Sequence, residues 1–355
     1  MFEQSYNWLL RSGIQEASGG VARYYLSDKG RNLPVSTEIT GYYVSGLVHL
    51  RKYAGAAGAS QEATDAVLRS ARYLTHQAWD ETTSTMPFEV GSGLTYFFDT
   101  GIIVRGLLAA WAATKNDEFA ERAKDAALSL AFDFLGDSGF HPIVTLPDKQ
   151  PLEYDYKRWS RSPGCYQLKS AMAWKDIGDA FSDEHANRMF EQALEIAMDG
   201  HEFFLPGVEE PERVMDRLHA FSYFLEALLS VGDRKECREA LESGIERVGY
   251  FLREIGPTFE RSDVCAQLLR VRLAAHHLHG IALDDAAAAD EAARAASYQA
   301  KSDDVRIHGG FWFGKKGPEM LPFVNPVSTV FCMQALGLWQ DHRAGNLNFA
   351  VKDLI

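Results

Sequence analysis

The sequence predicts an all-α fold, an (α/α)6 toroid formed by residues 1–355 as a single domain. Three observations carry that expectation. Six small-residue-rich apolar helices recur, beginning near Glu38, Asp99, Ser162, Asp216, Asp263 and Asn325. Between the equivalent positions Gly41, Gly101, Gly164, His219, Val264 and Val327 the steps are 60, 63, 55, 45 and 63 residues. Such regular recurrence marks arrays in which neighbouring units bury each other's apolar faces. Helices of a second character alternate with the first set. The long connections all fall on one side.

The apolar set is rich in glycine, alanine and serine and is apolar nearly all round, as befits helices surrounded by others. The alternating set covers 61–79, 116–135, 183–204, 233–255 and 284–300. There, charge alternates with apolar residues at helical spacing, the pattern of a surface helix with one buried stripe. Ser60, Asn116, Asp183 and Asp233 stand where helix caps are expected. The N-terminal stretch 5–14 supplies the outer partner that the last inner helix would otherwise lack. Six inner and six outer helices can close into a ring. Strand signals are confined to loops, such as 20–26 and 139–146.

Loops from outer to inner helices are long, covering roughly Asp80–Phe98, Gly136–Arg161, Leu205–Met215 and Ser302–Val324. Those running back are short. A rigid scaffold with long loops on one face usually carries its function there. The inner-helix N-termini converge on that face with their partial positive charges.

Bulk properties exclude several classes. The formal net charge is −13, and a nucleic-acid binder would normally show a basic stripe, so no nucleic acid is expected as a partner. No run of about 18 uninterrupted apolar residues appears, so no membrane association is expected. The N-terminus lacks the basic-then-apolar pattern of a secretory signal. The four cysteines, Cys165, Cys237, Cys265 and Cys332, are scattered without a CxxC pair, which suits free thiols and a cytoplasmic location. Neither a Walker-type glycine loop nor a GxGxxG fingerprint occurs, and no cofactor is expected.

Residues 19–25 (GGVARYY), 308–317 (HGGFWFGKKG) and 325–329 (NPVST) resemble turns of the α/α-toroid superfamily. One branch of that superfamily is the six-hairpin glycosidase group of inverting hydrolases, uronate lyases and sugar epimerases. The other comprises terpenoid cyclases and protein prenyltransferases. The first branch implies a carbohydrate-active enzyme that cleaves or modifies an oligo- or polysaccharide by carboxylate acid/base chemistry. For the second branch, Asp263-Val264-Cys265 reproduces the Asp-x-Cys spacing of the prenyltransferase zinc site. Ser328 occupies the place of its third ligand, a histidine, and His308 is the nearest substitute, so no metal is expected. A glycan-binding toroid without chemistry is the third alternative, and it predicts carboxylates that pair off with unperturbed pKa values.

Inverting glycoside hydrolysis needs two carboxylates across a sugar, one protonated and one activating water. The candidates are Glu38, Asp99, Asp155 and Asp263, each of which also suits a helix start as a cap. Tyr154 and His308 are candidate proton-transfer groups, as are Tyr156 and His219. Arg158, Arg161 and Arg217 are the expected holders of an anionic saccharide. Tyr42, Trp159 and Trp312 are expected to stack on sugar rings, and Asn325 to contact substrate.

Overall fold

A computed structural model of the chain describes residues 1–205 and 210–355. Thirteen helices occur among them. They are α1 (Phe2–Arg11), α2 (Thr37–His49), α3 (Gly55–Gly58), α4 (Gln61–Arg72), α5 (Phe97–Thr114), α6 (Asp117–Asp133) and α7 (Gln167–Phe181). The remainder are α8 (Glu184–Gly200), α9 (Pro211–Leu228), α10 (Lys235–Ile255), α11 (Ser262–His279), α12 (Asp285–Ser297) and α13 (Pro326–Arg343). Helices α2, α5, α7, α9, α11 and α13 pack in sequence, and α13 returns to α2, so the inner ring is closed. Helices α4, α6, α8, α10 and α12 lie outside it. Helix α1 packs against both α13 and α2 and completes the sixth hairpin. The fold is the (α/α)6 toroid.

Small residues set the inner-helix spacing. A Cβ at Gly106 of α5 would stand 2.7 Å from the Gly41 carbonyl of α2, and one at Gly101 would overlap Ser170 of α7. The Ser170 hydroxyl donates to the Phe97 carbonyl at 2.7 Å, tying the start of α5 to α7. Helix α5 is long and apolar enough to cross a membrane by length and composition, yet 78% of it is buried inside the ring. Its apolarity is that of a core helix.

Two loops repeat one device. Gly19 and Gly309 take φ of +93° and +92°, a conformation that glycine adopts without strain. Each lies against the backbone of an outer helix, α4 and α1 respectively, where a side chain would collide. Gly20 then seats on Tyr73, and Gly310 on Trp8. Next, the Val21 amide donates to Thr40 of α2 at 2.9 Å, and the Phe311 amide to Thr329 of α13 at 3.0 Å. The two Gly-Gly motifs therefore lock the approach to two inner helices in the same way.

Along the ring axis lies a buried charge network. Lys169 Nζ of α7 is 2.9 Å from Glu226 Oε2 of α9, and Arg270 of α11 pairs with the same carboxylate. Arg270 also donates to Gln334 Oε1 of α13 at 3.2 Å. Residues Val351–Ile355 close this end, with Lys169 Nζ donating to the Ile355 oxygen at 3.0 Å. The opposite end remains open.

Several expected boundaries move. Ser60, Asn116 and Asp183 do cap their helices, but α10 starts after Arg234, and Asp233 caps nothing. Helix α7 begins at Gln167 rather than near Ser162, because a single 3-10 turn, Trp159–Arg161, precedes it. In the expected loop Leu205–Met215, residues 206–209 lie outside the described ones and Pro211 already opens α9. Proline at the first helical position costs no hydrogen bond and presets the backbone angle, so the helix starts there. Asp216 therefore sits in the second turn of α9. The asymmetry of connections holds, except that the step from α10 to α11 is short and the step from α2 to α4, which carries the short helix α3, is as long as that from α8 to α9.

Candidate functional site

The inner-helix N-termini surround a pocket of about 480 Å³ at the open end. Its walls come from the first turns of α2, α5, α11 and α13, from Asp216, His219 and Tyr223 further along α9, and from the long loops. Tyr24, Phe88, Tyr96, Phe98, Trp159 and Phe313 supply aromatic surface, and Asn325 lies at the rim as the cap of α13. The charged groups fall into two sets of opposite character.

Glu38, second residue of α2, and Asp99, third of α5, form one set. Neither is the N-cap of its helix; the cap of α2 is Ser36. Burial pushes the Glu38 carboxyl up to about 7, with the nearby Arg23 charge offsetting only part of the effect. Arg23 is itself paired with Glu89. Asp99 is 6% exposed, and its Oδ2 has no hydrogen-bond partner among the described residues. Burial, and then the Glu38 charge, hold the Asp99 carboxyl far above the usual range. Two carboxyls so placed on adjacent helices behave as a unit that retains a proton at neutral pH.

The second set centres on Arg261. Its Nε and Nη2 bind both oxygens of Asp263 at 3.0 and 2.7 Å, and Nη1 binds Asp216 Oδ1 at 2.7 Å. Burial opposes ionisation of Asp263, but Arg261 outweighs it and holds that carboxyl below the usual range. A carboxylate with both oxygens engaged by one guanidinium is a weak base. Asp216 has only Oδ1 committed, and its side chain is half exposed to the pocket. Beside them, burial and the Arg261 charge push the His219 imidazole down to about 4, so the ring is neutral. His219 Nδ1 lies 2.7 Å from Gln267 Oε1. With that amide oriented so that its own nitrogen donates to the His219 carbonyl, Nδ1 carries the proton and Nε2 keeps its lone pair.

A second, larger cavity of about 960 Å³ adjoins the pocket and shares Trp159, Ser160 and Asp216 with it. Lys157, Arg158, Arg213 and Arg217 line this outer space.

Of the residues expected from sequence, the pocket brings together Glu38, Asp99, His219, Asp263, Trp159 and Asn325. Arg158 and Arg217 line the outer cavity instead. Tyr42 is fully buried one helical turn below Glu38, against Phe331, and offers no face to a sugar. Five other residues lie off both walls. Asp155 closes its own loop, accepting the Lys157 amide at 3.0 Å, well before α7 begins. The Tyr154 hydroxyl is hydrogen-bonded to His141 Nδ1 at 2.7 Å. His308 accepts the Ser302 amide at 3.4 Å within its loop. Arg161 ends the turn before α7, and Trp312 pairs through its backbone with Val324. Cys265, fully buried, is not on the pocket wall with Asp263.

Sequence reasoning missed Arg23, Arg213 and Tyr223. Helical spacing held two of the three signals: Tyr223 lies one turn beyond His219, and Arg213 one turn before Arg217.

Known structures share this architecture. A cellobiose 2-epimerase from Bacillus thermoamylovorans superposes with a TM-score of 0.67 at 10% identity, covering 93% of this chain and 95% of that one. An unsaturated glucuronyl hydrolase specific for heparin gives 0.66 at 10% identity, covering 98% of each chain. A family 76 mannosidase from Bacteroides thetaiotaomicron gives 0.60 at 11% identity, covering 96% and 98%. At such identities the likeness concerns the fold. No family model matches the chain, and no curated protein is similar to it in sequence.

Proposed function

We propose that this protein is a carbohydrate-active enzyme that hydrolyses a glycosidic bond by acid/base catalysis. The observation that carries the reading is one pocket in which the buried Glu38/Asp99 unit retains a proton while Arg261 holds Asp263 ionised and leaves one oxygen of Asp216 uncommitted. The Glu38/Asp99 unit supplies the proton and Asp216 acts as the base. In the reaction, the proton of the unit passes to the glycosidic oxygen as the bond from that oxygen to the anomeric carbon breaks. Asp216 takes a proton from the water whose oxygen bonds to the same carbon. Asp263 is a positioning residue: it fixes Arg261, which in turn aims Asp216. The aromatic walls suit the faces of sugar rings. The basic outer cavity suits a saccharide that bears negative charge.

The enzymes named above act on saccharides, which supports a saccharide substrate here. A non-catalytic glycan binder accounts less well for Glu38 and Asp99, which lack the paired, unperturbed state that reading requires.

One observation favours a second reading, epimerisation. The neutral His219 with its free Nε2 is a competent base for removing a proton from a sugar carbon. Incubation of oligosaccharides in heavy-oxygen water and in deuterium oxide tests both. Hydrolysis places solvent oxygen at the new anomeric hydroxyl with no carbon-bound deuterium. Carbon-bound deuterium without cleavage would replace hydrolysis with epimerisation.

A further inference from the structure

The two adjoining cavities differ in how their cations are used. In the inner pocket, both guanidiniums are already committed: Arg23 to Glu89, and Arg261 to Asp263 and Asp216. Asp216 and Asp263 are held by Arg261, and the proton-bearing Glu38/Asp99 unit offers no cation. A sugar carrying its own carboxylate or sulfate would find no uncommitted cation there to offset its desolvation.

The outer cavity is the reverse. Arg217 donates to the Phe204 and Tyr156 carbonyl oxygens, each at 2.9 Å, and no described carboxylate pairs with it. Its Nε is buried without a partner among the described residues. Arg213 stands one helical turn away; its Nε is unpartnered among the described residues, while its Nη atoms form a loose 3.7 Å ion pair with Glu210 and donate to the Tyr156 carbonyl at 3.4 Å. Burial and then the Arg213 charge pull the Arg217 guanidinium below its ordinary value, as expected of a part-buried cation beside a like charge. Glu212, on the same wall, is taken by Lys316 at 2.7 Å. Asp216 is taken by Arg261. Lys157 and the exposed Arg158 complete the edge. Trp159 belongs to both cavities, with its ring packed edge-on against Tyr166 at 4.9 Å. It forms a fixed wall that two consecutive rings can share.

We infer that the outer cavity is a subsite for an acidic sugar ring and the inner pocket takes the neutral ring joined to it. The substrate is accordingly a saccharide in which a neutral terminal ring is linked to a uronate or sulfated ring. Guanidinium forks suit such groups because they meet both oxygens of a carboxylate or sulfate at once. This inference rests on the hydrolase reading for the identity of the inner ring, but its test does not depend on turnover.

Calorimetric titration of the Asp99→Asn variant separates the two. The probes are disaccharides with a glucose, galactose or mannose terminal ring joined to glucuronate, each with its neutral counterpart and with the order of rings reversed. The neutral-then-acidic order should bind at least about tenfold more tightly than the other two. That advantage should shrink as salt is raised and vanish in a background carrying Arg217→Gln. A second background, Lys157→Ala with Arg158→Ala, touches only the exposed edge and should reduce the advantage without affecting folding. Equal binding of all three arrangements, tighter binding of the reversed order, or a preference that survives both backgrounds would overturn the inference. Preferential binding by the variant together with no turnover by the wild type would sink the hydrolase reading and leave the subsite standing.

Discussion

Replacing Glu38 by glutamine should stabilise the protein, and only above a defined pH. The folded carboxyl ionises at about 7 against an ordinary 4.5. Between those values the folded state holds a proton that the unfolded state has lost, so stability falls as pH rises through that window. At about 1.4 kcal/mol per tenfold change in proton affinity, the gap sets a ceiling of about 3.4 kcal/mol, reached once pH exceeds both values. Solvent reaches the carboxyl from the pocket, and the proton is shared with Asp99. Screening and sharing reduce the ceiling to roughly 1–2 kcal/mol. Glutamine keeps the shape and removes the ionisation. Urea denaturation followed by circular dichroism should show Glu38→Gln more stable than wild type by about that amount near pH 8, with the advantage largely gone near pH 5. Such a gain, at a carboxyl proposed to serve in acid catalysis, would match the usual trade between stability and activity. A difference independent of pH, or a variant less stable near pH 8, would refute the reasoning.

Two further substitutions probe charges that the fold has buried. Arg261→Ala leaves Asp263 buried without its partner and should cost about 3–5 kcal/mol in urea denaturation; a loss under about 1 kcal/mol would show the bidentate pair to be dispensable. In the axial network, Glu226→Gln leaves Lys169 and Arg270 facing each other without a counter-charge, again at about 3–5 kcal/mol. Lys169→Met removes only one cation and leaves Glu226 paired with Arg270, so it should cost clearly less; the opposite order in the same denaturation assay would contradict the roles assigned.

The toroid was legible because helical periodicity is local and repeated. Apolar residues on all faces of 97–114 mark a core helix, and one-sided stripes in 61–79 mark a surface one. The face that opens into the candidate pocket was legible from loop lengths and inner-helix starts. Pairings across the ring were not, since they join residues far apart in sequence. Nothing near Arg261 tells that it will straddle Asp216 and Asp263, a contact spanning 45 residues. Asp155 looked like its neighbours, but the turn at Trp159–Arg161 detaches it from α7. Tyr154 was an attractive acid until His141 claimed its hydroxyl. The burial that distinguishes Asp99 from an ordinary helix-start carboxylate depends on six helices meeting, and no local pattern records it. The axial Lys169–Glu226–Arg270 network was equally hidden, because each member reads as an isolated charge in an apolar run.

The most direct test of the central claim is the pH dependence of kcat/KM on the disaccharide panel for wild type, Asp99→Asn and Asp216→Asn. The account predicts wild-type activity that falls as pH rises through about 7, where Glu38 ionises and the Glu38/Asp99 unit gives up the first of its two protons. Each variant should lower kcat by roughly 10²–10⁴-fold while still binding saccharide. Wild-type levels of turnover in both variants, or activity that climbs steadily above pH 7, would contradict it.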